Sequence, residues 1–319
     1  MSNLMEGLQI RYIKLHFTLV FTEDGQLPRH KASALRGGMG RALLTANCIR
    51  NENCDSCDFS EDCLVQRMMY PEMKIRPEFM KTKDSEGFII ECEDTREWFQ
   101  SGDELEFNLL LFGRTIVYFN QYLNAFYYFG MQGIGAKRVR FQILKVTNTR
   151  GERLVEGTSV YKERYQIIYL ADYVRYRLTS ADIRKVIKAD RCRLVFQTPL
   201  TLKYKGEMQE HFTPDALLAA IDRRIYILNC YEGCEQYIEN GRVPVEEHLP
   251  TVLNERVWPE KVPRYSGTQR SKVTFSGIRG WSDLENIDET MLALLLAGEL
   301  LHIGKNTSFG FGRYTLVES

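Results

Sequence analysis

The feature that most constrains the fold of this chain is a helix, a glycine turn and a strand that follow one another twice, once at the end of each half. An apolar helix predicted over residues 116–129 runs into a glycine turn at 130–135, and a strand flanked by basic residues follows. The chain ends in the same way, because a helix predicted over 284–301 leads through a longer glycine turn at 304–312 into the strand Tyr314–Val317. This repetition indicates two copies of one structural unit.

The elements that precede each ending also follow one order. Each half is interpreted as β-α-β-β-α-β, so the predicted fold class is α+β with two tandem ferredoxin-like (RRM-like, βαββαβ) domains. Apolar alternation and helical spacing give a strand over 10–21, a helix over 32–47, strands over 87–92, 105–112 and 139–146, then a strand over 193–199, a helix over 214–228 and a strand over 272–281.

The domain boundaries follow from this order and from chain length. The 319 residues suit two domains of about 150 residues each. We predict the first ferredoxin-like domain over 1–150, a Tyr- and Arg-rich linker or hairpin over 151–190, and the second domain over 191–319. A hydrophobic fraction of 44% is enough for two cores, which excludes a disordered chain.

Charge is distributed unevenly although its total is zero. The chain has 42 Lys plus Arg and 42 Asp plus Glu, so net charge alone indicates no polyanionic partner. Residues 84–106 hold nine acids and one base, whereas residues 133–205 hold seventeen bases and six acids. The basic stretch is typical of a phosphate-binding surface, and scattered solvated faces are the alternative.

The sequence predicts a cytoplasmic protein with no membrane partner. No segment approaches the roughly 20 apolar residues of a membrane span, and the N-terminus lacks a cleavable signal pattern. In a reducing compartment the eight cysteines are not expected to form a disulfide framework.

Four of the cysteines are gathered within sixteen residues. Cys48, Cys54, Cys57 and Cys63 have the spacing C-x5-C-x2-C-x5-C, whose central pair can grip one ion while the flanking pair completes a tetrahedron. We expect residues 48–63 to be a metal-binding insertion with a structural zinc ion, because four thiolates leave no open position for catalysis. An iron–sulfur cluster and separate reduced thiols are the alternatives.

The glycine-rich segment 304–312 is the most informative stretch for function. Glycine allows positive φ, and successive backbone N–H groups in such a turn form a concave site for anions. Lys305 and Arg313 add positive charge, and Thr307 and Ser308 add hydroxyl donors. We expect outward-facing amides here to bind phosphate oxygens; the alternative is that the glycines serve only a tight helix-to-strand turn.

Several segments resemble a known family. The segment His302–Tyr314 is similar to the C-terminal signature of the RAMP superfamily, whose members bind or process CRISPR RNA. The segment Ser33–Leu43 and the cysteine cluster after it resemble one branch, the pre-crRNA processing endoribonucleases, as do Leu194–Lys203 and Arg223–Leu228. The resemblance runs from about residue 10 to the end of the chain.

This resemblance implies a metal-independent endoribonuclease that binds CRISPR repeat RNA and cleaves pre-crRNA. A ribose 2′-hydroxyl attacks its own phosphate and leaves a cyclic phosphate end and a 5′-hydroxyl. Such a reaction needs a base, an acid and positive charge on the phosphorane. The implied partners are repeat RNA and, as a second class, other CRISPR effector subunits.

Histidine suits the acid and base roles because its pKa lies near neutrality. His302 stands beside the glycine-rich segment, and His30 lies between the first strand and first helix, where several family members place their catalytic histidine. We expect His302 to be the general acid or base, ahead of His30, with Lys305 stabilising the transition state. The alternative for His302 is a helix C-terminal cap. Histidines within a strand or in polar loops are less favoured, namely His16, His211 and His248.

RNA contacts are expected from cations beside the two glycine turns and on the first helix, and from the longer turn itself. For the helix residues, an ordinary exposed face is the alternative. The expected RNA-binding residues are Arg36, Arg41, Lys137, Arg138, Arg140, Gly304, Ser308, Gly310, Gly312 and Arg313.

Two other functions fit the same sequence. A non-catalytic RAMP subunit that binds crRNA in a CRISPR effector complex would share the fold and the glycine-rich segment. A zinc-stabilised scaffold for protein partners would use the glycines only as a turn.

Overall fold

The chain folds as two compact units. A computed structural model describes residues 2–71, 73–77, 80, 87–156, 159–234, 249–266 and 271–319. The N-terminal unit comprises Tyr12–Glu72 and Phe79–Ile167, and the C-terminal unit comprises Met1–Arg11, Met73–Glu78 and Ile168–Ser319. The segment 151–190, expected as a linker or hairpin, is divided between the two units.

Helices and strands are numbered in chain order over these ranges. The helices are α1 Ser2–Gly7, α2 Lys31–Asn47, α3 Leu64–Met69, α4 Phe119–Gln132, α5 Leu170–Leu178, α6 Ala181–Ala189, α7 Pro214–Glu232 and α8 Glu289–Leu301. The strands are β1 Arg11–Phe21, β2 Gly25–Gln26, β3 Phe88–Glu91, β4 Trp98–Phe99, β5 Glu104–Phe112, β6 Phe141–Thr147, β7 Val155–Glu156, β8 Ser159–Val160, β9 Ile168–Tyr169, β10 Arg191–Leu200, β11 Lys203–Tyr204, β12 Glu207–Met208, β13 Thr251–Ser266, β14 Ser271–Glu285 and β15 Tyr314–Val317.

An antiparallel sheet with the order β3-β5-β1-β6 forms the centre of the N-terminal unit. Helices α2 and α4 pack together, and their apolar residues share one core with the sheet. In this core the rings of Phe17 and Phe107 stack with centroids 4.8 Å apart, and Phe126 of α4 lies 5.2 Å and 4.9 Å from them. Large rings buried between sheet and helices contribute most of the apolar burial in such a core.

The sheet of the C-terminal unit has the order β13-β14-β10-β15 and is also antiparallel. Tyr314 is fully buried, and its hydroxyl donates to the carbonyl of Leu295 in α8 at 2.5 Å. This bond joins β15 to the helix that covers it. In both units the central sheet runs second-third-first-fourth by chain order, as a βαββαβ unit does.

The predicted α+β class with antiparallel sheets is confirmed, and most predicted elements overlap the observed ones. The long strand β13 was not predicted, because it is an edge strand in which Pro259 and Pro263 and several charged residues hide the alternation. Helix α8 begins later than predicted, since β14 extends to Glu285 and Asp288 caps the helix by accepting from the amide of Met291 at 2.7 Å.

Helix length and composition also bear on membrane insertion. None of the helices in the described ranges combines the length and the apolar character that a bilayer span requires.

Candidate nucleic-acid interface

The glycine-rich turn between α8 and β15 makes two close backbone approaches. Gly304 has a φ of 92° and Gly312 a φ of 75°, a region that favours glycine. A Cβ at Gly304 would strike the carbonyl of Thr201, and one at Gly312 would strike the carbonyl of Ile303. The glycines are therefore needed for the turn itself, which is the structural alternative that the sequence left open.

The amides of this turn mostly point into the C-terminal unit, which corrects the expectation of an outward-facing phosphate site. Buried amides must be paired, and these take acceptors in their own unit rather than a ligand. Ser308, Gly310 and Gly312 are also buried. The donor–acceptor pairs are Ile303 N to Gly312 O at 2.8 Å, Lys305 N to Thr201 O at 2.9 Å, Phe309 N to Asn306 O at 3.0 Å, Gly310 N to Thr307 O at 2.8 Å, Gly312 N to Pro199 O at 3.0 Å and Arg313 N to Thr198 Oγ1 at 2.9 Å.

His302 is fully buried at the C-terminus of α8. Its Nδ1 lies 3.1 Å from the carbonyl oxygen of Phe311, and because a carbonyl only accepts, Nδ1 carries the proton. The imidazole thus joins the helix end to the strand that follows the turn. Burial keeps it from a substrate in this structure, whereas His30 is half-buried.

Two cations of this turn remain at least partly accessible. Lys305 is exposed and Arg313 is half-buried, whereas the predicted contact Ser308 has only 4% of its surface exposed. Contacts with phosphate at this end of the C-terminal unit would therefore be made by long side chains rather than by the backbone.

Arg264 is a cation beside the turn that sequence reasoning missed. Its guanidinium carbon lies 4.5 Å from the ring centroid of Phe309 and 4.7 Å from that of Phe275. Burial lowers the pKa of Arg264, and its Nε has no hydrogen-bond partner within the described part of the chain. The signal would have been alternation along β13, but that strand was itself not predicted.

His30 lies at the start of α2 in the N-terminal unit. It is the N-cap residue, with an extended backbone and no capping hydrogen bond from its side chain. The imidazole is half-buried, and Arg29 before it is exposed. The first amides of a helix attract anions, and the side chain of His30 does not cap them. A phosphate placed here would therefore meet both an imidazole and these N–H groups.

Lys31 anchors this helix start. Its side chain is fully buried, and its ammonium donates to the carbonyls of Asp94, at 3.0 Å, and Arg96. The same ammonium lies 3.6 Å from the carboxylate of Asp94. Burial lowers the pKa of Lys31, and the Asp94 carboxylate opposes that shift. These oxygen partners hold the first turn of α2 against the segment between β3 and β4, and so fix the backbone that carries His30.

The glycine turn between α4 and β6 packs against the segment that leads to His30. A Cβ at Gly135 would lie 3.5 Å from the carbonyl oxygen of Gln26, 3.5 Å from Leu27 Cδ2 and 3.8 Å from Pro28 Cδ. Backbone therefore meets backbone here. The turn following α4 and the loop before α2 form one continuous surface of the N-terminal unit.

Two of the three cations predicted on this turn are available to a ligand. Lys137 and Arg138 are exposed, and neither has an acidic partner among the described residues. Arg140 is instead held by Glu23, whose carboxylate accepts from Nε at 3.1 Å and from Nη2 at 3.0 Å. The turn that bears Lys137 and Arg138 thus packs on residues 26–28, which lead to His30, and Arg140 is neutralised.

The two arginines predicted on α2 both make contacts within the N-terminal unit. Arg41 donates to the carboxylate of Glu52 at 2.6 Å, so its charge is already paired. Arg36 is half-buried, with its guanidinium 5.9 Å from the ring centroid of Phe88. Neither is an unpaired surface cation of the kind that RNA backbone contacts require.

Carboxylates collect in a cavity of the same unit. This cavity, of about 440 Å³, is lined by His16, Arg96, Phe107, Asn108 and five carboxylates, those of Glu91, Glu93, Asp94, Glu104 and Glu106. Asp94 is also the residue that lies 3.6 Å from the Lys31 ammonium. The Nδ1 of His16 lies 2.9 Å from Asn108 Oδ1, so this histidine is satisfied within the sheet. Carboxylates repel phosphate, which disfavours RNA binding at this cavity. His211 is exposed, and His248 lies outside the described residues.

The four clustered cysteines are half-buried free thiols. Burial raises the pKa of Cys54 most, and the thiols of Cys63, Cys48 and Cys57 raise it further, so these three thiols lie near Cys54. Within the described ranges, however, no group of three or more His, Cys, Asp or Glu side chains has the geometry of a metal site. The donor set fits a thiophilic ion in its chemistry, while its side chains are not arranged as ligands.

Two family profiles match the chain. One, AF_1859_N, an N-terminal domain, matches residues 8–172, and the other, CRISPR-associated endoribonuclease Cas6, matches residues 194–314. An uncharacterized protein of Archaeoglobus fulgidus is 22% identical over 308 residues, which cover 91% of this chain and 92% of that protein.

Solved structures with a similar fold include Thermus thermophilus Cas6, with 12% identity, a TM-score of 0.51 and coverage of 97% of this chain and 99% of that one. A Cas6 product complex has 13% identity, a TM-score of 0.53 and coverage of 96% and 99%. A partial Cas6-RT-Cas1–Cas2 complex has 12% identity and a TM-score of 0.56, with 97% of this chain covered. The chain spans 46% of the length of that last protein.

The different burial of the two histidines gives a prediction about stability. We expect His302→Ala to lower the free energy of unfolding by about 2 kcal/mol or more, because it removes a buried hydrogen bond and leaves a cavity. His30→Ala, which removes a half-buried side chain without a capping bond, should cost less than about 1 kcal/mol. Urea unfolding of the two variants measures both values, and equal losses would contradict the assignment of His302 as the structural one.

Proposed function

Because the chain belongs to the AF_1859_N family and is a CRISPR-associated, RAMP-type protein of the group that processes pre-crRNA, we propose that it is an active endoribonuclease acting on CRISPR repeat RNA. The observation that carries the proposal is that the turn bearing Lys137 and Arg138 packs on residues 26–28, which lead to His30 at the start of α2. An imidazole beside unpaired cations is what cleavage of a phosphodiester requires.

The proposed reaction needs no metal ion. The 2′-oxygen of one ribose forms a bond to its own phosphorus while the bond from phosphorus to the 5′-oxygen of the next nucleotide breaks. A base takes the 2′-hydroxyl proton, and an acid gives a proton to the leaving 5′-oxygen, so the products are a cyclic phosphate and a 5′-hydroxyl. Each proton transfer contributes on the order of 100-fold or more to the rate.

His30 is assigned the proton-transfer role. Lys31 fixes the backbone of its neighbour, so the imidazole is held at a defined position on the unit surface. Lys137 and Arg138 would stabilise the negative charge that develops on the phosphorane oxygens. Lys305 is retained as an exposed cation of the C-terminal unit that contacts RNA phosphate, in place of its expected role beside His302.

A second candidate function has an observation in its favour. The burial of His302 and the inward amides of the glycine-rich turn suit a non-catalytic RAMP subunit, which holds crRNA without cutting it. One solved relative by fold belongs to a Cas6-RT-Cas1–Cas2 complex, and we propose other CRISPR proteins as a further partner class beside repeat RNA. The cleavage assay below separates the two functions.

We predict that the purified chain cleaves a labelled repeat RNA in the presence of EDTA. His30→Ala should lower the single-turnover cleavage rate on the order of 100-fold while leaving repeat affinity nearly intact. Gel analysis of the rates, with phosphatase treatment to identify the cyclic phosphate, measures both points. Cleavage that EDTA abolishes would refute the metal-independent mechanism, and full activity of His30→Ala would refute the assignment of that residue.

We predict that Lys137→Ala and Arg138→Ala each weaken repeat binding and reduce the slope of log affinity against log salt by about 1, because each removes one phosphate contact. The matched control is Arg114→Ala. Arg114 is also exposed, but it follows Phe112, which pairs with Tyr12 at the far end of the sheet from the loop before His30. Titrations at several salt concentrations test this, and an equal loss in the control would refute a localised contact.

We further propose that Cys48, Cys54, Cys57 and Cys63 bind a structural metal ion, with zinc preferred. The C-x5-C-x2-C-x5-C spacing supports this, and such an ion would hold the end of α2 to the loop after it. Elemental analysis should find about one zinc per chain, and Cys57→Ser should lose it whereas Cys192→Ser, at a buried cysteine of the C-terminal unit, should keep it. A colourless protein without metal, or brown iron–sulfur protein, would refute zinc.

A further inference from the structure

One face of the C-terminal sheet carries an alternating set of arginine and tryptophan side chains. The register pairs Arg256 of β13 with Trp281 of β14, and Trp258 of β13 with Arg279 of β14. Directly paired residues project to the same side of a sheet. The four side chains therefore form a two-by-two block in which each tryptophan lies across from an arginine.

The block lies on the face of the sheet opposite the buried side chains of β10. Leu194 and Phe196 of β10 are buried in the core, so Arg193 and Val195, which alternate with them along the strand, project to the opposite face. Arg193 pairs with Asp283 and Val195 with Trp281, which places Trp281 on that face as well. The block is thus continuous with β10 and belongs entirely to the C-terminal unit.

The aromatic rings of the block are arranged for stacking. The guanidinium carbon of Arg193 lies 4.0 Å from the ring centroid of Trp281, a cation–π contact that holds the indole against the sheet. Trp258 has 47% of its surface exposed. A large ring left this accessible on an edge strand has an unfilled apolar face, which marks a contact surface.

Charge decides what this surface can bind. Arg193 is bonded to Asp283 at 2.7 Å and 2.9 Å, and Arg279 is bonded to Glu260 at 2.9 Å. Arg256 is exposed and has no acidic partner among the described residues. The face therefore offers one unpaired cation beside two indole rings, and a ligand with flat rings and negative charge complements it.

We propose that this face, defined by Arg193, Arg256, Trp258, Arg279 and Trp281, is a stacking platform for unpaired ribonucleotides. One base stacks on Trp258, and Arg256 contacts the adjacent phosphate, because residues two apart on a strand lie about 7 Å from each other. The platform rests on the proposed function, since it would hold a single-stranded part of the same RNA. Base-paired RNA buries its ring faces and would not use it.

The probe is a ten-nucleotide oligouridylate, which has no stable pairing, bound to the full chain. Trp258→Ala should weaken its affinity on the order of 10-fold, whereas Trp258→Phe, which keeps a ring, should lose less. Arg256→Ala should weaken affinity and reduce its salt dependence. The matched control is Tyr176→Ala, because Tyr176 is 72% exposed but lies on helix α5 rather than on the sheet, and the affinity of this variant should be unchanged.

Fluorescence gives a second readout that does not depend on stability. The chain has three tryptophans, so Trp98→Phe with Trp281→Phe leaves Trp258 as the single indole. Oligouridylate should quench this signal. Affinity loss in Trp258→Ala together with quenching supports the platform, and the absence of either overturns it. If the wild-type chain still cleaves repeat RNA in that case, only the platform fails. If Trp258 is quenched but no repeat is cleaved, only the endoribonuclease proposal fails.

Discussion

The glycine-rich turn depends on backbone packed so closely against backbone that only glycine fits. Gly304 meets the carbonyl of Thr201 and Gly312 meets that of Ile303, and these approaches bring the amides of Lys305 and Gly312 onto acceptors at and just after the end of β10. The same close packing leaves His302 fully buried. One steric constraint therefore orders the end of α8, the turn and β15, and it leaves the turn's side chains, rather than its amides, to face a ligand.

In the N-terminal unit the backbone at the candidate site is also fixed by close contacts, but a buried ammonium makes the main one. There a buried ammonium, that of Lys31, binds carbonyl oxygens and fixes the first turn of α2. A glycine turn then packs on the loop before that helix. Both contacts act on the backbone, so they fix the main chain that carries His30.

Pairing of charges narrows the set of residues that can bind RNA. Several arginines that the sequence offers as phosphate contacts are already bonded to carboxylates, as Arg41 is to Glu52 and Arg140 to Glu23. Cations that have no acidic partner among the described residues include Lys137 and Arg138 in the N-terminal unit and Arg256 in the C-terminal unit. A chain with no net charge can therefore bind a polyanion where a few cations have no acidic partner among the described residues, as Lys137 and Arg138 do in the N-terminal unit.

The sequence by itself determined the class of fold, most of the helices and strands, and the two glycine turns, because periodicity and glycine act over a few neighbouring residues. It also indicated the family. Only the tertiary structure decided that His302 is buried, that the amides after it turn inward, that Arg140 is neutralised, and that Trp258 and Trp281 share one face. Each of these depends on a partner distant in the chain, such as Pro199, Glu23 or the unpredicted strand β13. Local patterns carry no information about which distant residue a side chain or amide will meet.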